Sequence, residues 1–76
     1  MIIKLESING VEGHDLYYGL NKSGVEFYVT RKSAATDFQP AKALEIFQRN
    51  RKEFLQTFHC DSICLVYSGG ENECQK

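Results

Sequence analysis

The chain has 76 residues, a formal charge of −1 and a hydrophobic content of 42%, with five Phe and four Tyr. That is one domain with a thin core, since a chain of this size buries only about 60% of the surface its unfolded form exposes. The apolar content argues against a disordered segment, and one Pro and six Gly argue against a low-complexity linker. There is little room for a deep substrate cavity.

Near-neutral charge favours neither nucleic acid nor membrane, but its distribution is uneven. Arg31, Lys32, Lys42, Arg49, Arg51 and Lys52 stand against Asp37 and Glu45 in the middle, whereas both ends are net acidic. The opening MIIKLESI carries Lys4 and Glu6, so it does not read as a signal peptide, and no apolar run approaches membrane-spanning length. Three cysteines without a secretion signal point to free thiols and a cytoplasmic location.

Residues 2–8 alternate, with Ile3 and Leu5 on one face and Lys4 and Glu6 on the other. Asn9-Gly10 suits a two-residue hairpin. Residues 14–20 alternate again through Leu16, Tyr18 and Leu20, and Asn21 to Gly24 reads as a four-residue turn. Residues 25–31 follow with Val25, Phe27 and Val29. Setting Leu20 against Val25 pairs Tyr18 with Phe27 and Leu16 with Val29. Setting Ile8 against Val11 pairs Ile3 with Leu16 and Lys4 with Asp15. Both place Leu16 on one inner face, which predicts an antiparallel meander.

Lys32 to Gln39 is a connection, and a helix is expected from Pro40, with Asp37 favouring its N-terminus. Leu44, Phe47, Phe54, Leu55 and Phe58 form an apolar stripe, with Lys42, Glu45, Arg49, Lys52 and Gln56 opposite. Arg51 falls within the stripe, so the expectation is one helix that can kink there, with a break at Asn50 as the alternative. SICLVYS, residues 62–68, is a fourth strand ended by Gly69-Gly70, and residues 71–76 read as a flexible tail to a domain of residues 1–70. The fold class is thus α+β, in the order β-β-β-α-β, with the helix on one sheet face. A crossover helix predicts that the fourth strand runs parallel to the first or the third, preferably beside the first.

No motif assigns a reaction. His59, Cys60, Cys64 and Cys74 are zinc-ligand types, but a Cys-x3-Cys entering a strand turns its sulfurs apart. The plainer reading makes Cys64 a small buried hydrophobe and the other two ordinary thiols. His14 and Asp15, as adjacent strand residues, would point to opposite faces. Neither catalysis, metal nor cofactor is expected.

Two surfaces remain. The basic residues Arg31, Lys32, Lys42, Arg49 and Lys52 could track a phosphate backbone, against the plainer reading of a solvated helix face answered by Glu45 and Glu53. On the outer sheet face the expected register opposes Tyr17 to Tyr28, amid Ile2, Lys4, Asp15, Glu26 and Thr30, an arrangement suited to protein contact. A three-stranded sheet followed by a helix resembles integrase arm-binding and plant AP2-type DNA-binding domains, but those line the sheet with Arg, where this chain has Asp15, Glu26 and Glu6. In profile the chain is similar to accessory and inhibitor proteins of phages and mobile elements, anti-CRISPR and other anti-defence proteins among them. That similarity implies a non-catalytic module that occludes a host protein. The alternative is a nucleic-acid-binding domain, and an open sheet edge leaves a homodimer available.

Overall fold

A computed structural model describes residues 1–67; the end of the expected fourth strand, the tail and Cys74 lie outside the described residues. Strands β1 (Ile2–Glu6), β2 (Leu16–Leu20) and β3 (Glu26–Val29) precede helix α1 (Pro40–Phe58), and β4 (Ser62–Val66) follows it. They form a single sheet in the order β3-β2-β1-β4, with α1 packed over β4 and β1. The β-β-β-α-β order and the α+β class are as the sequence indicates.

Both expected hairpin registers are displaced. Lys4 faces Tyr17 and Leu5 faces Leu16, a shift of two residues that keeps Ile3, Leu5 and Leu16 on one face. Asn9-Gly10 does not close a two-residue turn. Ser7 and Asn9 take left-handed φ of 57°, and a short helical turn at Ile8–Gly10 widens the connection to Asp15. Between β2 and β3 the shift is one residue. Asn21 pairs with Val25 around a three-residue loop, the Asn21 carboxamide accepting the Ser23 and Val25 amides at 2.8 and 3.0 Å, with Gly24 at φ 83°.

A one-residue slip turns a whole strand over. Tyr28 therefore faces Tyr18 on the inner side, while Phe27 and Val29 move to the outer side with Tyr17 and Gly19. The inner face of β2 and β3 is filled by aromatic rings. Tyr18, 2% exposed, has ring-centroid separations of 5.6 Å from Tyr28, 6.0 Å from Phe38 and 5.2 Å from Phe54. Ile3, Leu5, Ile46, Cys60 and Ile63 complete this core.

The helix is continuous through Asn50, and its buried stripe is rotated from the expected one. Ala43, Ile46 and Phe54 are buried, Leu44 is 45% exposed, and Arg51 is exposed outside the stripe. It ends at His59, in a left-handed conformation at φ 50°.

Strand β4 lies beside β1, as preferred, but antiparallel to it rather than parallel. The reason lies in the connection. Residues 30–39 run back along the whole sheet: the Phe38 amide donates to the Met1 carbonyl at 2.9 Å, and the Met1 ammonium reaches Asp37 Oδ1 at 2.6 Å and the Phe38 carbonyl at 2.7 Å. The helix therefore starts where β1 starts and finishes where β1 finishes, and the Asp61 amide donates to the Glu6 carbonyl at 3.0 Å as β4 turns back. Asp37 serves this clamp, and α1 has no side-chain cap at Gln39.

Candidate functional site

The rotated helix presents Lys42, Glu45, Gln48, Arg49, Lys52 and Gln56 to solvent, because these positions lie opposite Ala43, Ile46 and Phe54 at 3.6 residues per turn. Glu45 is central to them. Its carboxylate stands 3.8 Å from Lys42 Nζ and 3.6 Å from Arg49, so two of the three expected cations on the helix, of five in all, are at ion-pair distance from one acid. Lys52 is exposed, and Leu44 and Arg51 flank the polar face. Arg31 is exposed after β3, whereas Lys32 is half-buried in a short helical turn at Lys32–Ala34.

The expected tyrosine pair is not formed. Tyr17 lies on the outer face opposite Val29, and Tyr28 lies inside, its ring centroid 4.6 Å from that of Phe58. Glu26, expected beside them outside, accepts a hydrogen bond from the Tyr18 hydroxyl on the inner side. The outer face is accordingly more apolar than expected: Ile2 and Val66 are buried there, Phe27 packs over Gly19, and Lys4, Glu6 and Asp15 form its polar part. Burial of its hydroxyl beside Glu26 and Glu53 pushes the Tyr28 phenol up to about 12.

A hollow of about 360 Å³ sits at the wide β1–β2 connection, lined in part by His14, Asp15, Tyr17 and Thr30. His14 and Asp15 precede β2, which begins only at Leu16, so strand alternation does not set them on opposite faces as expected. The Asp15 carboxylate is nonetheless engaged in holding the loop. It accepts the Ser7 amide at 3.0 Å and stands 3.8 Å from Lys4 Nζ. The hollow lies beside the connection that turns through left-handed Ser7 and Asn9, and the sequence signals those turns only through Ser and Asn-Gly pairs common to many turns.

Cys60 is buried, its thiol pushed up by burial, and Cys64 lies on β4. Among the described residues no three His, Cys, Asp or Glu side chains are grouped to hold a metal ion, and no helix is long and apolar enough to cross a membrane. Compared with models of protein families, with curated proteins and with solved structures, the chain matches none.

Proposed function

We propose that the chain is a non-catalytic protein-binding module that occludes a surface of a cytoplasmic partner, with the solvent face of α1 as its contact. The observation that carries this reading is Glu45 set between Lys42 and Arg49. A face that tracks phosphates needs its cations left available to the nucleic-acid backbone. A carboxylate at ion-pair distance from two of them repels phosphate and suits a protein surface of mixed charge, where complementary pairs fix register and partner choice. Leu44, 45% exposed at the flank of that face, adds an apolar contact to it. Its small size and lack of an assigned reaction motif are in keeping with an accessory or inhibitor protein of a phage or mobile element, of the anti-defence kind.

The competing reading is nucleic-acid binding through Arg31, Lys32, Lys42, Arg49 and Lys52. Titration into labelled single- and double-stranded DNA and RNA, followed by anisotropy at two salt concentrations, separates the two. No binding at low salt is expected. Tight, salt-sensitive binding that a Lys42→Glu, Arg49→Glu, Lys52→Glu variant loses would replace the protein-binding reading. Protein capture from a host lysate should be lost in the Leu44→Asp, Arg49→Glu variant and kept in Tyr17→Phe.

A further inference from the structure

Strand β3 ends the sheet, and its hydrogen-bond alternation can be read from its turn. Asn21 and Val25 form a bonded pair, since the Asn21 amide donates to the Val25 carbonyl at 3.0 Å. In an antiparallel ladder bonded pairs recur every second residue, so Phe27 and Val29 direct their main-chain groups at Gly19 and Tyr17. The Leu20 amide and carbonyl confirm this alternation by turning away from β3 to Thr36 Oγ1. Glu26, Tyr28 and, continuing the alternation, Thr30 therefore direct their main-chain donors and acceptors outward. An edge of this kind is a template for another strand.

Charge selects the occupant. The edge begins at the acidic Glu26 and is followed by the basic Arg31 and Lys32. A parallel copy would set Glu26 against Glu26, whereas an antiparallel copy sets each acidic end towards the other's basic end. We infer that β3 joins two copies of the chain antiparallel about Tyr28. In this register Tyr28 meets Tyr28 and each Glu26 meets Thr30 of the other copy, so all three outward-facing residues are paired. On the outer face each Phe27 opposes a Val29, an aromatic against β-branched pairing that stabilises a sheet. Centring the pair on Phe27 instead would bring Thr30 against Gly24, which the turn holds at φ 83° away from strand geometry. The body of α1 lies over β4 and β1, and its Phe54 and Phe58 rings reach Tyr28 on the inner face, leaving the main-chain edge of β3 uncovered.

The inference goes beyond the helix-face reading and uses a different surface, so the Lys42→Glu, Arg49→Glu, Lys52→Glu variant should dimerise as the wild type does. The test is amide hydrogen exchange on the whole chain across a concentration series, with sedimentation velocity on the same samples. The expected result is a dimer fraction that grows with concentration while the Glu26 and Tyr28 amides slow and the Phe27 and Val29 amides do not. Thr30→Pro removes an outward donor and leaves the intramolecular ladder intact. With an unchanged circular dichroism spectrum, it should weaken the dimer about tenfold or more, because each dimer loses that bond twice. Absence of concentration-dependent slowing at Glu26 and Tyr28 overturns the inference, whether the chain stays monomeric or pairs through another face.

Discussion

The Tyr18 hydroxyl donates to Glu26 Oε2 at 2.9 Å, joining the most deeply buried ring of the core to the first residue of the edge strand. The bond exists only because the β2–β3 register puts Glu26 on the inner side, where Leu20 faces it. It ties β3 to the core at the end where the Asn21 turn begins. Burial pushes the Tyr18 phenol up, and the Glu26 carboxylate pushes it further. For Tyr28 burial comes first, then the Glu26 and Glu53 charges, and its phenol is raised to about 12.

Alkaline pH should therefore unfold the protein from the tyrosine side. The unfolded chain ionises both phenols near their ordinary value of 10.0 while the folded chain keeps them neutral. The unfolded state then binds fewer protons, so stability falls as pH rises above about 10. Cys60, whose thiol burial raises from 9.0, starts the decline about one unit earlier. Urea midpoints measured from pH 8.5 to 11 should drop steadily in the wild type and less steeply in Tyr28→Phe. Equal slopes in the two proteins would rule out a neutral, buried Tyr28.

Gly19 is required by its neighbour across the strand. A Cβ at that position would lie 2.3 Å from Phe27 Cζ, with the ring on the outer face directly above it. Gly19→Ala should destabilise the protein by about 1–3 kcal/mol, as overpacking of a filled site does. Phe27→Ala in the same chain should return part of that loss by clearing the ring. Additive losses in a double-mutant cycle would show that Phe27 does not cover Gly19.

The elements were legible in the sequence, and their mutual placement less so. Alternation located β1, β2 and β3, and Pro40 with the apolar spacing located α1. One Asn side chain decided the register of β2 against β3. By accepting two amides, Asn21 makes a three-residue loop of what reads equally well as a four-residue turn, and that single residue exchanges Tyr28 for Phe27 on the inner face. Gly24 was the available signal, since a three-residue hairpin loop places a left-handed residue there. The direction of β4 was set by the Met1 contacts to Asp37 and Phe38, a long-range relation with no local pattern. On the candidate surface, helical spacing gave Lys42, Arg49 and Lys52 correctly as one face. The tyrosine pair failed with the register on which it depended.

Acid pH tests a different junction. Ser62 Oγ donates to Glu6 Oε1 at 2.7 Å where β1 and β4 meet, and Lys4 Nζ stands 3.4 Å from the other carboxylate oxygen. The serine bond is the largest influence holding the Glu6 carboxyl below its ordinary 4.5, with Lys4 adding to it against the effect of burial. Stability from this group is present above about pH 4.5 and is lost as pH falls through the lowered folded value. Ser62→Ala should show a smaller drop in melting temperature between pH 5 and 3 than the wild type. A drop of unchanged size would mean that Glu6 does not draw its stabilisation from Ser62.

Thr36 closes a gap that the short β1 leaves beside β2. Its Oγ1 accepts the Leu20 amide at 2.8 Å and donates to the Leu20 carbonyl at 3.1 Å, so one hydroxyl serves both main-chain groups of the strand's last residue. Valine has nearly the same shape and neither capacity. Thr36→Val should cost about 1 kcal/mol, the low end of the penalty for leaving polar groups unpaired because these are only partly buried, and each kcal/mol should lower the melting temperature of a domain this size by about 4–8 °C. Thr36→Ser keeps the hydroxyl and should recover most of the loss. If the valine variant melts with the wild type, the Leu20 groups have another partner, and the Met1 contacts and the Phe38 ring against Tyr18 hold residues 30–39 to the sheet without Thr36.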